Sequence, residues 1–341
     1  MKIRLCGKTP EQLTAIALSE GLPRFAGKQM AQWIYRKRAG TIGEMTNLSK
    51  AARERLSEKY EAGVSSPLEV FTSADGTRKY LFPVEGDSSN AVEAVMIPDG
   101  DRKTLCVSSQ AGCKMGCRFC MTGRQGFHGN LSTSDIISQF LAVDEAQELT
   151  GAVFMGMGEP LDNWENVKQA TEILTAPWGF AWSPKRVTLS TIGVIPKLRE
   201  FLDGSKCHLA VSLHNPFPGE RAQLMPVEKA FPMREIMELL RTYDFTGQRR
   251  VSFEYTVFKG WNDSDAHARE LSRLLRGLEC RVNLIRFHRI PDFPYGPASY
   301  EDMTAFRDRL NALGVTATIR ASRGEDIMAA CGLLAGKHSG L

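Results

Sequence analysis

Three cysteines carry the chemistry that the sequence displays most openly. In Cys113-Lys-Met-Gly-Cys117-Arg-Phe-Cys120 the spacing is C-x3-C-x2-C, with an aromatic residue before the last thiol. Three thiolates are one short of the four protein ligands of a structural zinc site, and His128 is the one further donor nearby. An iron–sulfur cubane with one iron left open fits the count better.

An open iron offers a site to a bidentate ligand such as the amino and carboxylate groups of S-adenosylmethionine, so that an electron can enter the sulfonium and release a 5′-deoxyadenosyl radical. The spacing resembles that of the radical S-adenosylmethionine superfamily. The rest of a cofactor site is then expected on successive strand ends. Met155-Gly156-Met157-Gly158-Glu159-Pro160 offers close backbone approach, with the Gly158 carbonyl and Glu159 as acceptors for an amino group; the alternative is a plain glycine turn. Ser190-Thr191-Ile192-Gly193, Ser212-Leu213-His214-Asn215 and Asn283 complete a polar ring where a barrel would otherwise be apolar, although His214 alone would read as a structural histidine.

Two further thiols, Cys106 and Cys331, lie at opposite ends of this region, and a barrel could bring them together; by themselves they read as buried free cysteines. Cys6, Cys207 and Cys280 are isolated and read as small buried or indifferent thiols. Glu93 interrupts the apolar run Ala91-Val-Glu-Ala-Val-Met-Ile97, which predicts a partly desolvated carboxylate with a raised pKa, suited to taking a proton; a solvent-facing edge glutamate is the alternative.

The elements that must position these residues follow from local signals. Thr9-Pro10-Glu11-Gln12 is a capping box with proline at the first helical position, and Gly21 offers a stop. Segments near 24–38 and 47–60 carry Trp33, Ile34, Leu48 and Leu56 among basic residues, which predicts a compact helical head. Asp75-Gly76 and Asp99-Gly100 suit hairpin turns. From Leu105 onward short apolar strands alternate with helical stretches, with strands predicted at 105–109, 152–156, 186–192, 208–213, 251–257 and 281–286 and a seventh at 316–321. Such repeats fit either an open (β/α)6 barrel or a doubly wound sheet, with chemistry at the strands' C-terminal ends in both.

Composition sets the bounds. Apolar residues make up 43% and charged residues 24% of 341, the balance of an ordinary globular chain and not of a disordered one. The start, MKIRLCGKTPEQ, lacks the apolar core of a secretory signal and no long apolar run follows, so a cytoplasmic protein away from the membrane is expected. Eight cysteines in a reducing compartment point to metal or redox chemistry rather than a disulfide framework. Residues 1–60 hold 12 Lys and Arg against 5 Asp and Glu, and the remainder 31 against 34. A basic head suits a polyanion such as RNA, or is simply a solvated helix face.

Taken in order along the chain, Ser109-Gln-Ala-Gly-Cys113, Cys120-Met-Thr-Gly-Arg-Gln-Gly-Phe127, Phe154-Met-Gly-Met-Gly-Glu-Pro160, Ser183-Pro-Lys-Arg186, Ser190-Thr-Ile-Gly193, Ala210-Val-Ser-Leu-His214, Val282-Asn-Leu-Ile285 and the segment around Cys331 resemble the bacterial dual-specificity 23S rRNA and tRNA adenine-C2 methyltransferases, sisters of the C8-methylating chloramphenicol-florfenicol resistance enzymes. Two stretches depart from that pattern: residues 127–131 lack the arginine expected before Asn130-Leu131, and residues 284–288 carry Arg286 and His288 where Pro and Asn are commoner.

The resemblance implies an α/β fold, a partial (β/α)6 TIM-like radical S-adenosylmethionine barrel (99–334) with a small helical N-terminal domain (1–62), a β-hairpin extension (63–98) and a tail (335–341). It implies a [4Fe-4S] cluster on Cys113, Cys117 and Cys120, and two S-adenosylmethionine molecules per turnover, bound by Gly158, Glu159, Ser190, Ser212, Leu213, His214 and Asn283. Cys331 would become S-methylcysteine, Cys106 would resolve the adduct through a transient disulfide, and Glu93 would be the proton acceptor. The implied partners are 23S rRNA, tRNA and an electron donor such as flavodoxin, with the enzyme a monomer. Arg24, Lys28, Arg36, Lys37 and Arg38 are the expected phosphate contacts. C8 methylation and a noncatalytic iron–sulfur or zinc RNA-binding module are the competing readings; Gly158-Glu159-Pro160 favours C2, and the binding module leaves Cys106 and Cys331 unexplained.

Overall fold

A computed structural model describes residues 2–247 and 249–336; of the expected tail, 337–341 lie outside the described residues. The helical head opens with β1 (Ile3–Arg4) and α1 (Pro10–Ser19). The capping box forms as the sequence predicts: Thr9 Oγ1 accepts from Gln12 N at 3.3 Å, and Gln12 Oε1 accepts from Thr9 N at 2.9 Å. α2 (Ala26–Ala31) runs on into a π-helical turn over Gln32–Arg36, and α3 (Lys50–Lys59) leads to β2 (Tyr60–Glu61), which pairs in parallel with β1. Ile34, Leu48 and Leu56 are buried, as expected of a head with its own apolar centre.

Two hairpins follow at the expected turns. β3 (Glu69–Thr72) and β4 (Arg78–Val84) flank Asp75-Gly76, and β5 (Asp87–Asp99) and β6 (Arg102–Cys106) flank Asp99-Gly100, all antiparallel. The first barrel strand therefore begins three residues earlier than the apolar run suggests, because the pairing of Asp99 with Arg102 sets its start. That register makes Cys106 its last residue.

After β6 the chain makes a small antiparallel pair, β7 (Gln110–Gly112) and β8 (Phe127–Asn130), with α4 (Met121–Arg124) between them and α5 (Thr133–Leu141) after. Then come β9 (Gly151–Phe154), α6 (Trp164–Thr175), β10 (Val187–Thr191), α7 (Ile195–Gly204), β11 (His208–Ser212), α8 (Pro218–Leu224), α9 (Met233–Leu240), β12 (Val251–Val257), α10 (Asp265–Leu275), β13 (Cys280–Arg286), α11 (Tyr300–Ala312) and β14 (Ala317–Ile319).

The large sheet runs β14-β13-β12-β11-β10-β9-β6-β5-β4-β3, parallel from β6 to β14. Parallel strands that neighbour one another in chain order wind one way around an incomplete barrel; a doubly wound sheet reverses its order at a switch point. The open question left by periodicity is settled in favour of the barrel. On its strands Leu105, Phe154, Leu189, Val211 and Phe253 are almost fully buried. The head docks on α5, where Gly7 lies so close that a Cβ would meet Ser134 N at 2.6 Å, and Arg4 Nη1 pairs with Asp135 at 3.1 Å. Among the described residues no helix is long and apolar enough to cross a membrane.

Candidate functional site

The cysteine loop spans the turn from β7 to β8. Cys113 N donates to Gly126 O at 2.7 Å, and Gly112, at φ 69°, brings its backbone so near Gly126 that no Cβ would fit. Cys120 N closes a turn onto Cys117 O at 3.2 Å, and Arg118 N anchors the loop on Leu224 O at 2.9 Å. Cys113, Cys117 and Cys120 line one cleft at the C-terminal ends of the strands.

These thiols fit a cluster. Burial pushes Cys113 up to about 12 and Cys117 well above the usual thiol range, with the neighbouring cysteines adding to the shift. Protonated sulfurs crowded in an apolar loop are poor company; metal binding replaces their protons and joins them. The three sulfurs line the same cleft, and three thiolates leave one iron of a cubane open, so the donor set suits an iron–sulfur cluster.

Gly158, Glu159, Ser190, Ser212 and His214 line the same cleft. Gly158 stands at φ 97°, and a Cβ there would lie 2.4 Å from the side chain of Gln110. Glu159 is buried and its carboxyl, pushed up to about 7 by desolvation, accepts from Thr191 Oγ1 at 2.6 Å, Ile192 N at 2.9 Å and Leu161 N at 3.0 Å. His214 is buried at φ 57°; Thr256 N donates to its Nδ1 at 3.0 Å, which places the ring proton of the neutral tautomer on Nε2, and burial lowers its pKa to about 3. Phe119 of the cysteine loop meets the imidazole edge to face, with centroids 4.8 Å apart.

Leu213 and Asn283 do not line the cleft. Leu213 is fully buried; Asn283 Nδ2 donates to Glu254 Oε1 at 2.8 Å and its Oδ1 accepts from Thr318 Oγ1 at 3.1 Å. Arg221, also fully buried, donates to Leu213 O at 3.0 Å and Ser212 O at 2.9 Å and pairs with Glu228, so it fixes the end of β11.

The fold brings Cys331 near enough to Cys106 that a charge on Cys331 raises the Cys106 thiol. Burial first, then Cys331, push Cys106 up to about 12, while Arg320 opposes both. Cys331 is exposed where it faces the cleft, yet the surrounding walls still raise its thiol, against the pull of Arg320. Its segment is strapped across α4: Met121 N donates to Gly332 O at 2.8 Å, Thr122 Oγ1 to Leu334 O at 2.7 Å and Gln125 Nε2 to Ala335 O at 2.5 Å.

Glu93 is 3% exposed, so the desolvation expected of it is present. Its oxygens are also engaged, Oε1 by Lys79 Nζ at 3.0 Å and Oε2 by Ala335 N at 2.7 Å and Gly336 N at 3.0 Å, and it does not line the cleft. Cys6 and Cys207 are buried and Cys280 half-buried, and none of the three lines the cleft.

Sequence reasoning missed Glu254 and Arg320. Glu254, on β12, is 3% exposed, lines the cleft, and accepts from Arg320 Nη1 at 3.3 Å. The signal was available: Glu254 breaks the apolar run of β12 as Glu93 breaks that of β5.

Comparison with known proteins agrees with this geometry. The family model of the radical SAM superfamily matches residues 107–271, and that of the ribosomal RNA large subunit methyltransferase N-terminal domain matches 3–62. A probable dual-specificity RNA methyltransferase RlmN of Porphyromonas gingivalis is 58% identical over 98% of this chain and 94% of its own length. A dual-specificity RNA methyltransferase RlmN of Syntrophus aciditrophicus is 40% identical over 98% of this chain and 97% of its own. A crystal structure of a radical SAM methyltransferase from Sphaerobacter thermophilus superposes with a TM-score of 0.92 at 38% identity, covering 98% of this chain and all of that one.

Proposed function

Because this chain belongs to the RlmN family of dual-specificity radical S-adenosylmethionine RNA methyltransferases, we propose that it methylates C2 of adenosine in 23S rRNA and tRNA, with Cys331 as the carrier of the methyl group. The observation that supports this reading best is that Cys331 opens onto the cleft lined by the cysteine triplet, with Cys106, at the end of β6, within reach of its charge.

Adenine C2 is not nucleophilic, so it cannot attack a sulfonium methyl directly. A protein nucleophile that carries the methyl removes the difficulty. Cys331, open to the cleft, takes the methyl from one S-adenosylmethionine as S-methylcysteine. Cys113, Cys117 and Cys120 would hold the [4Fe-4S] cluster, and Gly158, Glu159, Ser190, Ser212, Leu213, His214 and Asn283 would hold and surround the cofactor. When bound, cluster and cofactor supply a one-electron reduction and a carbon radical able to take hydrogen from that methyl; an external donor such as flavodoxin supplies the electron.

The carbon radical on Cys331 then joins C2, the adduct returns one electron to the donor couple and gives its C2 proton to Glu93, and the Cys106 thiolate attacks the Cys331 sulfur. An S–S bond forms as the S–C bond breaks; the electron pair of that bond takes up a proton to leave a methyl group on the base, and a thiol reductant restores both cysteines. We assign RNA binding to the head (1–62), catalysis to 99–334 and the junction between them to the hairpins (63–98), in a monomer that works in the cytoplasm. Gly158-Glu159-Pro160 favours C2 over C8. Anaerobic reconstitution with methyl-labelled S-adenosylmethionine and an rRNA fragment tests the reading: 2-methyladenosine is expected, 8-methyladenosine would move the chain to the sister activity, and neither product would leave an RNA-binding module.

A further inference from the structure

Both proposed steps at sulfur begin from a thiolate, and both thiols stand in surroundings that favour the protonated form. In the first, Cys331 Sγ forms a bond to the methyl carbon while the sulfonium C–S bond breaks and its electron pair stays on the departing thioether. In the second, Cys106 Sγ forms a bond to Cys331 Sγ and the pair of the broken S–C bond passes to carbon, which takes up a proton. Each nucleophile is consumed as an anion, so a fixed positive charge near the sulfurs speeds both.

One guanidinium is placed for this. Arg320 directly follows β14, its backbone N held by Leu284 O at 2.9 Å. Its Nη1 donates to Glu254 Oε2 at 3.3 Å and to Met155 Sδ at 3.2 Å, two residues that line the cleft with Cys331. Met155 lies just beyond β9, the strand paired with that of Cys106. The carboxylate is fixed in turn, since Glu254 Oε1 accepts from Asn283 at 2.8 Å and from Ser252 at 3.0 Å. The groups that act on the thiols are thus Arg320, which favours both thiolates, Glu254 and Cys120, which oppose the one on Cys331, and Cys331 itself, which opposes the one on Cys106.

We propose that Arg320 is the shared counter-ion of the Cys331 and Cys106 thiolates, a positioning residue whose charge Glu254 holds in place and partly offsets. The inference rests on the two-thiol reading above but is read independently of RNA methylation.

The test uses anaerobically reconstituted, cluster-loaded enzyme at one neutral pH. Iodoacetamide labelling of Cys331 is timed by peptide mass analysis, and formation of the Cys106–Cys331 disulfide is timed with oxidised glutathione, which takes the two electrons and leaves as two thiols. Arg320→Gln is expected to slow both about tenfold or more, and Arg320→Lys to recover most of the loss. Glu254→Gln, which frees the guanidinium from its neutralising partner, is expected to speed labelling of Cys331. Cys280, half-buried at the start of β13, serves as the internal reference and keeps its rate. A merely structural role would move Arg320→Gln and Glu254→Gln in the same direction, and that result, or unchanged rates in Arg320→Gln, overturns the proposal. Where Arg320→Gln fails to load its cluster, the Arg320→Lys and Glu254→Gln rates decide. Altered thiol rates in an enzyme whose wild type makes no methylated RNA would sink the functional reading and leave this inference standing.

Discussion

Glu93 on β5 and Ala335 near the C-terminal end of the described chain are joined by a 2.7 Å hydrogen bond from Ala335 N to Glu93 Oε2, across 242 residues of sequence. Gly336 N adds a second bond to the same oxygen at 3.0 Å. The strap that carries Cys331 therefore ends on the carboxylate proposed to accept the proton, and in that role Oε2 would be freed by withdrawal of residues 335–336.

Gly336 offers a way to break that contact without touching the cysteines. It stands at φ 60°, and a Cβ would lie 2.2 Å from Ala91 O. Gly336→Val should expel the strap end, at a strain of about 1–3 kcal/mol if it were retained. Faster hydrogen exchange over 332–336 with an unchanged iron content is expected, and product formation should change with it; retained protection of the segment would show that the contact is not a latch.

Removing a cluster ligand and removing a distal thiol should have different signatures. Cys113→Ala, Cys117→Ala or Cys120→Ala should each lower bound iron and sulfide to a small fraction of wild type. Cys331→Ala and Cys106→Ala should keep the iron yet give no released methylated RNA, and Cys106→Ala should leave enzyme and RNA covalently joined, visible as a shifted band on a denaturing gel. A free, methylated RNA product from Cys331→Ala would refute the carrier role.

His214 ties stability to pH. Its pKa is about 3 in the folded chain against the usual 6.5, because burial, helped by Arg221, disfavours the charged ring. Below pH 6.5 the unfolded chain takes up a proton that the folded one refuses. The contribution of this residue is therefore complete above pH 6.5 and is lost as pH falls toward 3, at about 1.4 kcal/mol per pH unit. Denaturant unfolding of wild type and His214→Gln across this range should show the variant's deficit shrinking as the solution is acidified; a constant deficit would mean that the native ring takes up its proton as readily as the unfolded one.

The basic head divides into exposed and occupied cations. Arg24 and Lys28 are exposed, whereas Arg36 bonds Pro177 O, Lys37 rests 3.7 Å over Trp33, and Arg38 is half-buried against Phe180. Arg24→Glu with Lys28→Glu should weaken RNA binding and lower its salt slope by about 0.7–0.9 per lost contact, with iron content unchanged. Arg38→Glu should instead lower the melting temperature, since it removes a packed side chain. Filter binding across a salt series and thermal melts separate the two.

The cysteine triplet was legible in the sequence because its three ligands fall within eight residues, so a single loop decides their geometry whatever the rest of the chain does. The capping box, the hairpin turns and the strand–helix alternation were legible for the same reason, each being governed by backbone and neighbouring side chains. What only the tertiary structure decided is non-local. One-way strand order made the sheet a barrel. Its register carried Cys106 to a strand end, near Cys331, and set Arg320, Glu254 and Lys79 beside the groups they charge or neutralise. Glu254 and Glu93 could be suspected as carboxylates in apolar strands, but the cation that faces each lies on another strand or beyond one. Burial makes those distant partners necessary, and chain order does not name them.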